Sequence, residues 1–274
     1  MPPLLSRALA LRPAPRCLRV LLADFWSTAA VPDPARATGP QPLPPPVSRY
    51  LQLAAGRAAA APMAVRLSHR AALDRSLDKD AWWSLHSRQW MAARAPGFVW
   101  AAHVHGALGL SIDVVDAYVQ GRGELGAWLW GLVPVGSARG SEAIARGELM
   151  RWLAEAVHVP WALAACPGLR WKAVDADHAD AELAAAGVSV ILRFAFGADG
   201  LVRSVEGNRP RREGRGFVDT PWIGHWSDWQ RRGDVLVPTT GEVAWTIGGR
   251  NRPYWRGTLM AWEELHEPPP FPCG

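Results

Sequence analysis

Val188-Ser-Val-Ile-Leu-Arg-Phe-Ala-Phe196 runs into Gly197-Ala-Asp-Gly200 and then into Leu201-Val-Arg-Ser-Val-Glu-Gly-Asn208. Val188, Val190, Leu192, Phe194 and Phe196 alternate with Ser189, Ile191, Arg193 and Ala195, so an extended chain here has one apolar face. The glycines supply positive-φ positions for a short turn, and 201–208 reads as the returning hairpin strand. Upstream, His178, Asp180 and Glu182 alternate with Ala179, Ala181 and Leu183, a further half-buried strand. The pattern repeats along the chain. Strands are expected at 65–73, 82–93, 98–105, 110–120, 124–133, 169–174, 221–230, 235–237, 241–247 and 252–265, separated by Gly, Pro and Asp turns. The fold class this predicts is mainly β (α+β), a curved antiparallel sheet or incomplete β-barrel with a capping helix.

That helix is expected over 141–159. Leu149, Trp152, Leu153, Ala156 and Val157 share one helical face, and Glu148, Arg151 and Glu155 share the other; Pro160 stops it. The charged trio reads in three ways: a solvated face, a buried structural network, or a lid in which Arg151 holds an anionic group with Glu155 beside it. A single β domain is expected over 62–266, preceded by a short helix at 47–61. Residues 1–46 hold eleven prolines and read as a tail and linker, with a short helix available at 17–29. Residues 267–274 read as a Pro-rich C-terminal tail.

The chain has 274 residues, 49% of them hydrophobic and 20% charged, enough to bury a core. Its formal charge of +5 resides in the first 60 residues, which hold seven Arg against Asp24 and Asp33. The rest is balanced, so the body offers no phosphate-tracking surface and no nucleic-acid partner is expected. Arg209 to Arg215 and Arg231-Arg232 read as solvated loop charge. Cys17, Cys166 and Cys273 form neither a disulfide framework nor a zinc motif, which fits a reduced, cytoplasmic setting. No stretch matches a membrane span or a signal peptide.

Motifs for chemistry are weak. Gly121-Arg-Gly-Glu-Leu-Gly126 matches a dinucleotide fingerprint, but a strand rather than a helix follows it, so it reads as a glycine hairpin. His103 and His105 would share one strand face and could join a carboxylate at a metal; surface histidines are the plainer reading. None of these motifs implies a cofactor. The tryptophans carry more. Sixteen Trp stand against three Tyr, and thirteen fall on expected strands, with Trp128 and Trp130 paired on one face. Indoles suit either a core or a half-wet cavity wall. The ligand-binding set expected for a cavity is Trp100, Trp128, Trp130, Arg151, Glu155, Trp171, Trp222, Trp245 and Trp255.

The order of Pro46-Val-Ser-Arg-Tyr-Leu51, Pro96-Gly-Phe-Val-Trp100, Asp116-Ala-Tyr-Val-Gln-Gly-Arg-Gly123, Gly147-Glu-Leu-Met-Arg-Trp-Leu-Ala-Glu155 and Pro253-Tyr-Trp-Arg256 resembles one uncharacterised bacterial family with no assigned activity. In element order the chain is also similar, more loosely, to the periplasmic lipoprotein carriers. Their incomplete antiparallel barrel wraps an apolar cavity closed by helices. The reading that follows is a non-catalytic binder of an apolar or amphipathic, lipid-like small molecule in a Trp-lined cavity. The alternatives are a metal-assisted enzyme using His103 and His105, and a protein-interaction module whose contact is the N-terminal tail.

Overall fold

The computed structural model describes residues 16–31, 42–55, 60–74, 76–77, 80–106 and 109–269. One antiparallel sheet of thirteen strands dominates it. The first wing holds β1 (Ala64–Asp74), β2 (Trp82–Ala92), β3 (Phe98–His105), β4 (Ser111–Val119), β5 (Arg122–Leu129) and β6 (Val133–Arg139). The second holds β7 (Leu169–Ala173), β8 (His178–Ala185), β9 (Val188–Phe196), β10 (Val202–Glu213), β11 (Gly216–Arg232), β12 (Val235–Ile247) and β13 (Arg250–Leu265). Each wing is a meander, and the two join where β1 pairs with β13, from Ala64 opposite Leu265 to Leu73 opposite Trp255. Gln120-Gly121 and Ala186-Gly187 take positive φ at both positions. This is the two-residue turn whose twist matches the flanking strands.

The edge strands β6 and β7 are neighbours in sequence but lie at opposite ends of the strand order. The connection therefore crosses the whole concavity, as α3 (Glu142–Glu155), a 3-10 turn at Ala156–His158, and α4 (Pro160–Ala165). α3 touches β4 and β5 on one wing and β9 and β10 on the other. The wings curl until a Cβ at Gly121 would collide with Ala186 across the mouth, which makes the sheet a half-barrel wound around its own helix. Ser141 starts α3 by accepting the Ile144 amide at 3.2 Å. Ser141→Ala is expected to lower stability by about 1 kcal/mol, read as a shift of the urea midpoint at constant slope.

The sheet buries its concave face and, in the first wing, part of its outer face. The inner core gathers α2 (Pro45–Ala54), α3, α4 and the concave strand residues, including Leu67, Leu85, Phe98, Tyr118, Phe194 and Trp152. The outer face of β2 to β4 is covered by α1 (Arg16–Ala29), whose Leu18, Leu21, Phe25 and Trp26 pack on Trp90, Val99, Ala101, Val115 and Ala117. Part of the expected tail is thus a packed element. The remaining tail and linker expectations at 1–15, 32–41 and 270–274 lie outside the described residues.

Several expectations are corrected. Trp130 is not on a strand: it occupies the β5–β6 turn at φ 52° and is 47% exposed. Trp128 packs with the outer, α1-side cluster, so neither indole lines a concave cavity. Arg209 to Glu213 continue β10 instead of forming a loop. Residues 133–139 form an unexpected edge strand, and 235–247 form one strand where two short ones were expected. The helix before β1 ends at Ala54. Pro160 opens α4 from its first turn, where the missing N–H loses nothing. Gly121 and Gly123 lie in the expected glycine hairpin, between β4 and β5.

Candidate functional site

The face of α3 expected to be polar points into the barrel. Glu148, Arg151 and Glu155 meet charged and polar side chains at concave positions of four strands. Asp116 on β4 binds Arg151 Nη1 at 2.5 Å, Glu155 accepts from Arg151 Nε at 2.8 Å, and Gln89 Nε2 on β2 donates to Glu155 at 2.5 Å. The Arg151 guanidinium lies over Phe98 at 4.8 Å and over Trp100 at 5.1 Å. Burial opposes its charge, but Glu155, Asp116 and Glu148 outweigh that and hold it protonated. Burial likewise works against the Glu155 charge, and Arg151 and Gln89 together keep it ionised.

A second cation completes the cluster. Arg209 on β10 donates to the Gly147 carbonyl at 3.0 Å, to Glu148 at 3.1 Å and to the Tyr254 hydroxyl oxygen at 3.2 Å. That oxygen also accepts from Trp222 Nε1 at 3.0 Å. Arg209 lies 5.5 Å from the Trp222 ring and 5.9 Å from the Trp245 ring, and Trp245 stacks on Tyr254 at 5.7 Å. The β12–β13 register shifts between Val243 and Ala244, opposite Trp255 and Pro253. This bulge brings Tyr254 and Trp255, adjacent in sequence, into the same core.

Two arginines face three carboxyl groups in this largely buried space. Asp116 Oδ1 and Glu148 Oε2 have no donor while both groups are ionised. Burial first, and the Asp116 charge second, push the Glu148 carboxyl up to about 8. A proton on Glu148 leaves two arginines facing two carboxylates and the cluster electrically balanced.

Below the cluster, Trp226 and Trp255 lie over two facing glycines. A Cβ at Gly241 would press on both rings, and one at Gly257 would clash with Trp255; these glycines are cross-strand partners. His69 and His158 sit edge to face, 6.1 Å apart, with Trp255 5.8 Å from His69 and Trp226 5.2 Å from His158. Burial pushes His69 down to about 3. Burial also lowers His158, against the pull of its hydrogen bonds to the Glu155 and Pro238 carbonyls.

The β9–β10 seam opens partway along its length. β9 and β10 pair from Phe196 opposite Val202 to Arg193 opposite Glu206 and then part, since residues 188–192 pair only with β8 and residues 207–213 only with β11. Gly207 stands at the fork, where a Cβ would press on Leu192, the Ile191 carbonyl and Met150. A cavity of about 800 Å³ lies across the gap. Met150, Val190, Pro221, Trp222 and Ile223 supply its apolar surface, and Arg146, Arg193, Asp180, Glu206, Asn208 and Asp219 supply its polar surface. Arg146 pairs with Asp219, and Arg193 binds Asp180 through two bonds of 2.8 and 3.1 Å.

Of the expected ligand set, only Trp222 lines this cavity. Trp100, Trp171, Trp245 and Trp255 pack in or against the inner core, with the Trp171 N–H on the Leu163 carbonyl at 2.9 Å. Arg151 and Glu155 form the ion cluster. Sequence reading missed Gln89, Arg209 and Tyr254 as its members, although Gln89 and Arg209 sit in phase with inward apolar residues of their strands. His103 and His105 lie on the opposite sheet face, with ring centroids 4.7 Å apart and His103 Nδ1 2.6 Å from Asp113. Among the described residues no group of three His, Cys, Asp or Glu is arranged to hold a metal ion. No described helix is long and apolar enough to cross a membrane.

No curated protein matches the chain. Among solved structures it is similar to the LolA superfamily protein NE2245 from Nitrosomonas europaea, at 10% identity and a TM-score of 0.40, covering 82% of this chain and 93% of that one. It is also similar to a β-barrel-like protein of the DUF1849 domain of unknown function from Brucella abortus, at 10% identity and a TM-score of 0.31, covering 74% of this chain and 98% of that one. A family model matches residues 41–263, and the chain belongs to DUF6920, a family of unknown function.

Proposed function

We propose that the protein binds an amphipathic small molecule non-catalytically at the fork between β9 and β10. The observation that carries this reading is the cavity itself. Where β9 and β10 part, a cavity of about 800 Å³ opens, lined by Met150, Val190 and Trp222 together with the Arg146 and Arg193 ion pairs. That size and mixed lining suit a lipid-like ligand whose chain lies on the thioether and indole while its head meets the arginines. In the concave interior α3 and several indoles pack into the core. The polar anchor therefore moves from Arg151, which Asp116 and Glu155 already engage, to Arg146 and Arg193.

Titration with oleate and with phosphatidylglycerol below its dispersion limit tests this, with tryptophan emission reporting from Trp222. A saturable shift is expected. Asn208→Phe, which places a ring in the cavity from an exposed position, is expected to weaken it at least tenfold with an unchanged unfolding midpoint. Emission unmoved by either lipid, together with a ligand-free mass for gently purified protein, would overturn the reading.

A further inference from the structure

Beyond the fork the β10–β11 hairpin stands alone. From Asn208 opposite Pro221 to Glu213 opposite Gly216 its strands pair only with each other, because β9 has parted and the β11–β12 ladder begins at Trp222. Of these six rungs the inner three pack on the body, with Pro210 and Thr220 buried, and the outer three project about 10 Å. The base is held by Arg209 in the buried cluster and by Arg146 on Asp219. Residues 212–219 are all exposed. The finger carries Arg211, Arg212 and Arg215 against Glu213, which pairs with Arg211 at 3.2 Å, and Asp219, which pairs with Arg146 of α3; the neighbouring β12–β13 turn adds the exposed Arg250. Between these charges Phe217 is 39% exposed and Val218 48%.

We propose that this finger docks the protein on an anionic bilayer surface. Charge complementarity is the first argument: Arg212 and Arg215, exposed and without an ion partner among the described residues, attract acidic headgroups, each by roughly fivefold in affinity near such a surface. The second is geometric. Phe217 and Val218 are consecutive on a strand and so point to opposite faces of the ribbon, Phe217 opposite Arg212 and Val218 opposite Arg211. A protein groove or a flat partner covers one face. A fluid interface wets both faces of an inserted tip while the arginine stems reach back to the phosphates. The inference rests on the proposed function for its purpose: Asn208, Asp219 and Pro221 border both finger and cavity, so a docked finger sets the cavity mouth beside the lipid.

The test is co-sedimentation of the full chain with phosphatidylcholine vesicles, alone and with about 30 mol% phosphatidylglycerol, over a salt series. Binding is expected only with phosphatidylglycerol and is expected to fall with salt. Replacing Arg212 and Arg215 together by Gln is expected to reduce it about twenty-five-fold, at roughly fivefold per charge. F217S/V218S is expected to reduce it at least tenfold at low salt. Far-UV circular dichroism checks that the exposed substitutions leave the fold intact. Equal binding to both vesicle types, no binding, or binding to phosphatidylglycerol vesicles that survives both sets of changes would overturn the proposal. So would capture by heparin or an acidic peptide with vesicles left unbound. Asn208→Phe separates the two readings: it is expected to keep vesicle binding while losing the emission response to oleate.

Discussion

Arg151→Met is expected to destabilise the protein by about 3–5 kcal/mol, the range seen when one member of a buried ion cluster is removed and its partners stay. Met keeps the volume and the contact with Phe98 and Trp100, so the loss reports charge. Without Arg151, the Asp116 and Glu155 carboxylates stand in a largely buried space with Gln89 as the remaining donor to Glu155. Each must then take up a proton or admit water. Urea unfolding followed by tryptophan emission reads the effect as a lower midpoint. A loss under about 1 kcal/mol would show that the cluster is hydrated and leave its buried electrostatics unsupported. Combining Arg151→Met with Asp116→Asn and Glu155→Gln is expected to recover part of the loss, because uncharged partners cost less to bury.

The second large effect is a fall in stability as pH rises from about 6.5 to about 8. Glu148 keeps its proton in the folded protein up to about 8, whereas an unfolded glutamate releases it near 4.3. Through that interval the native state binds the extra proton, so unfolding becomes easier by about 1.4 kcal/mol per pH unit at most. His69 and His158 act with the opposite sign. They are neutral when folded and protonate when unfolded, so they add stability as pH rises, but only up to the ordinary histidine range near 6.5. Above it Glu148 dominates. Unfolding midpoints at several pH values are expected to decline across this window in the native chain, and Glu148→Gln is expected to flatten the decline. A midpoint constant from pH 6.5 to 8 would mean that Glu148 is ionised in the fold.

The strand pattern was legible because half-buried antiparallel strands write alternation into sequence, as Val188 to Phe196 do. What alternation does not encode is which face a strand turns inward when both faces are covered. Trp90, Trp100 and Trp128 look equivalent in sequence, yet Trp100 faces α3 while Trp90 and Trp128 face α1. The helix misled for a related reason. Leu149, Met150, Trp152 and Leu153 are all 2% exposed or less, and the Glu148, Arg151 and Glu155 side chains are only 12–17% exposed. Where strands cover both sides of a helix, charges on its polar face mark ion partners rather than solvent. Arg209 was hidden by its company: five of seven residues from 209 to 215 are charged, which suggests a loop. Its strand phase with Val205 and Gly207 pointed inward all the same. The fork could not be read at all, because pairing between β9 and β10 stops without any break in either strand's own pattern.

The junction of β1 with β13 has a consequence for how the protein is made. The strand that completes the middle of the sheet ends at Leu265, about two hundred residues after its partner begins. On the ribosome, β1 to β6 can assemble early, but β1 then keeps an open edge through the synthesis of the entire second wing. Pairings of such long sequence separation form slowly, and an unpaired edge invites contact with other chains. Productive folding thus depends on the last strand to emerge. Stalling or truncating translation before Arg250 leaves two half-sheets with facing raw edges, a species suited to chaperone capture or aggregation rather than to partial function.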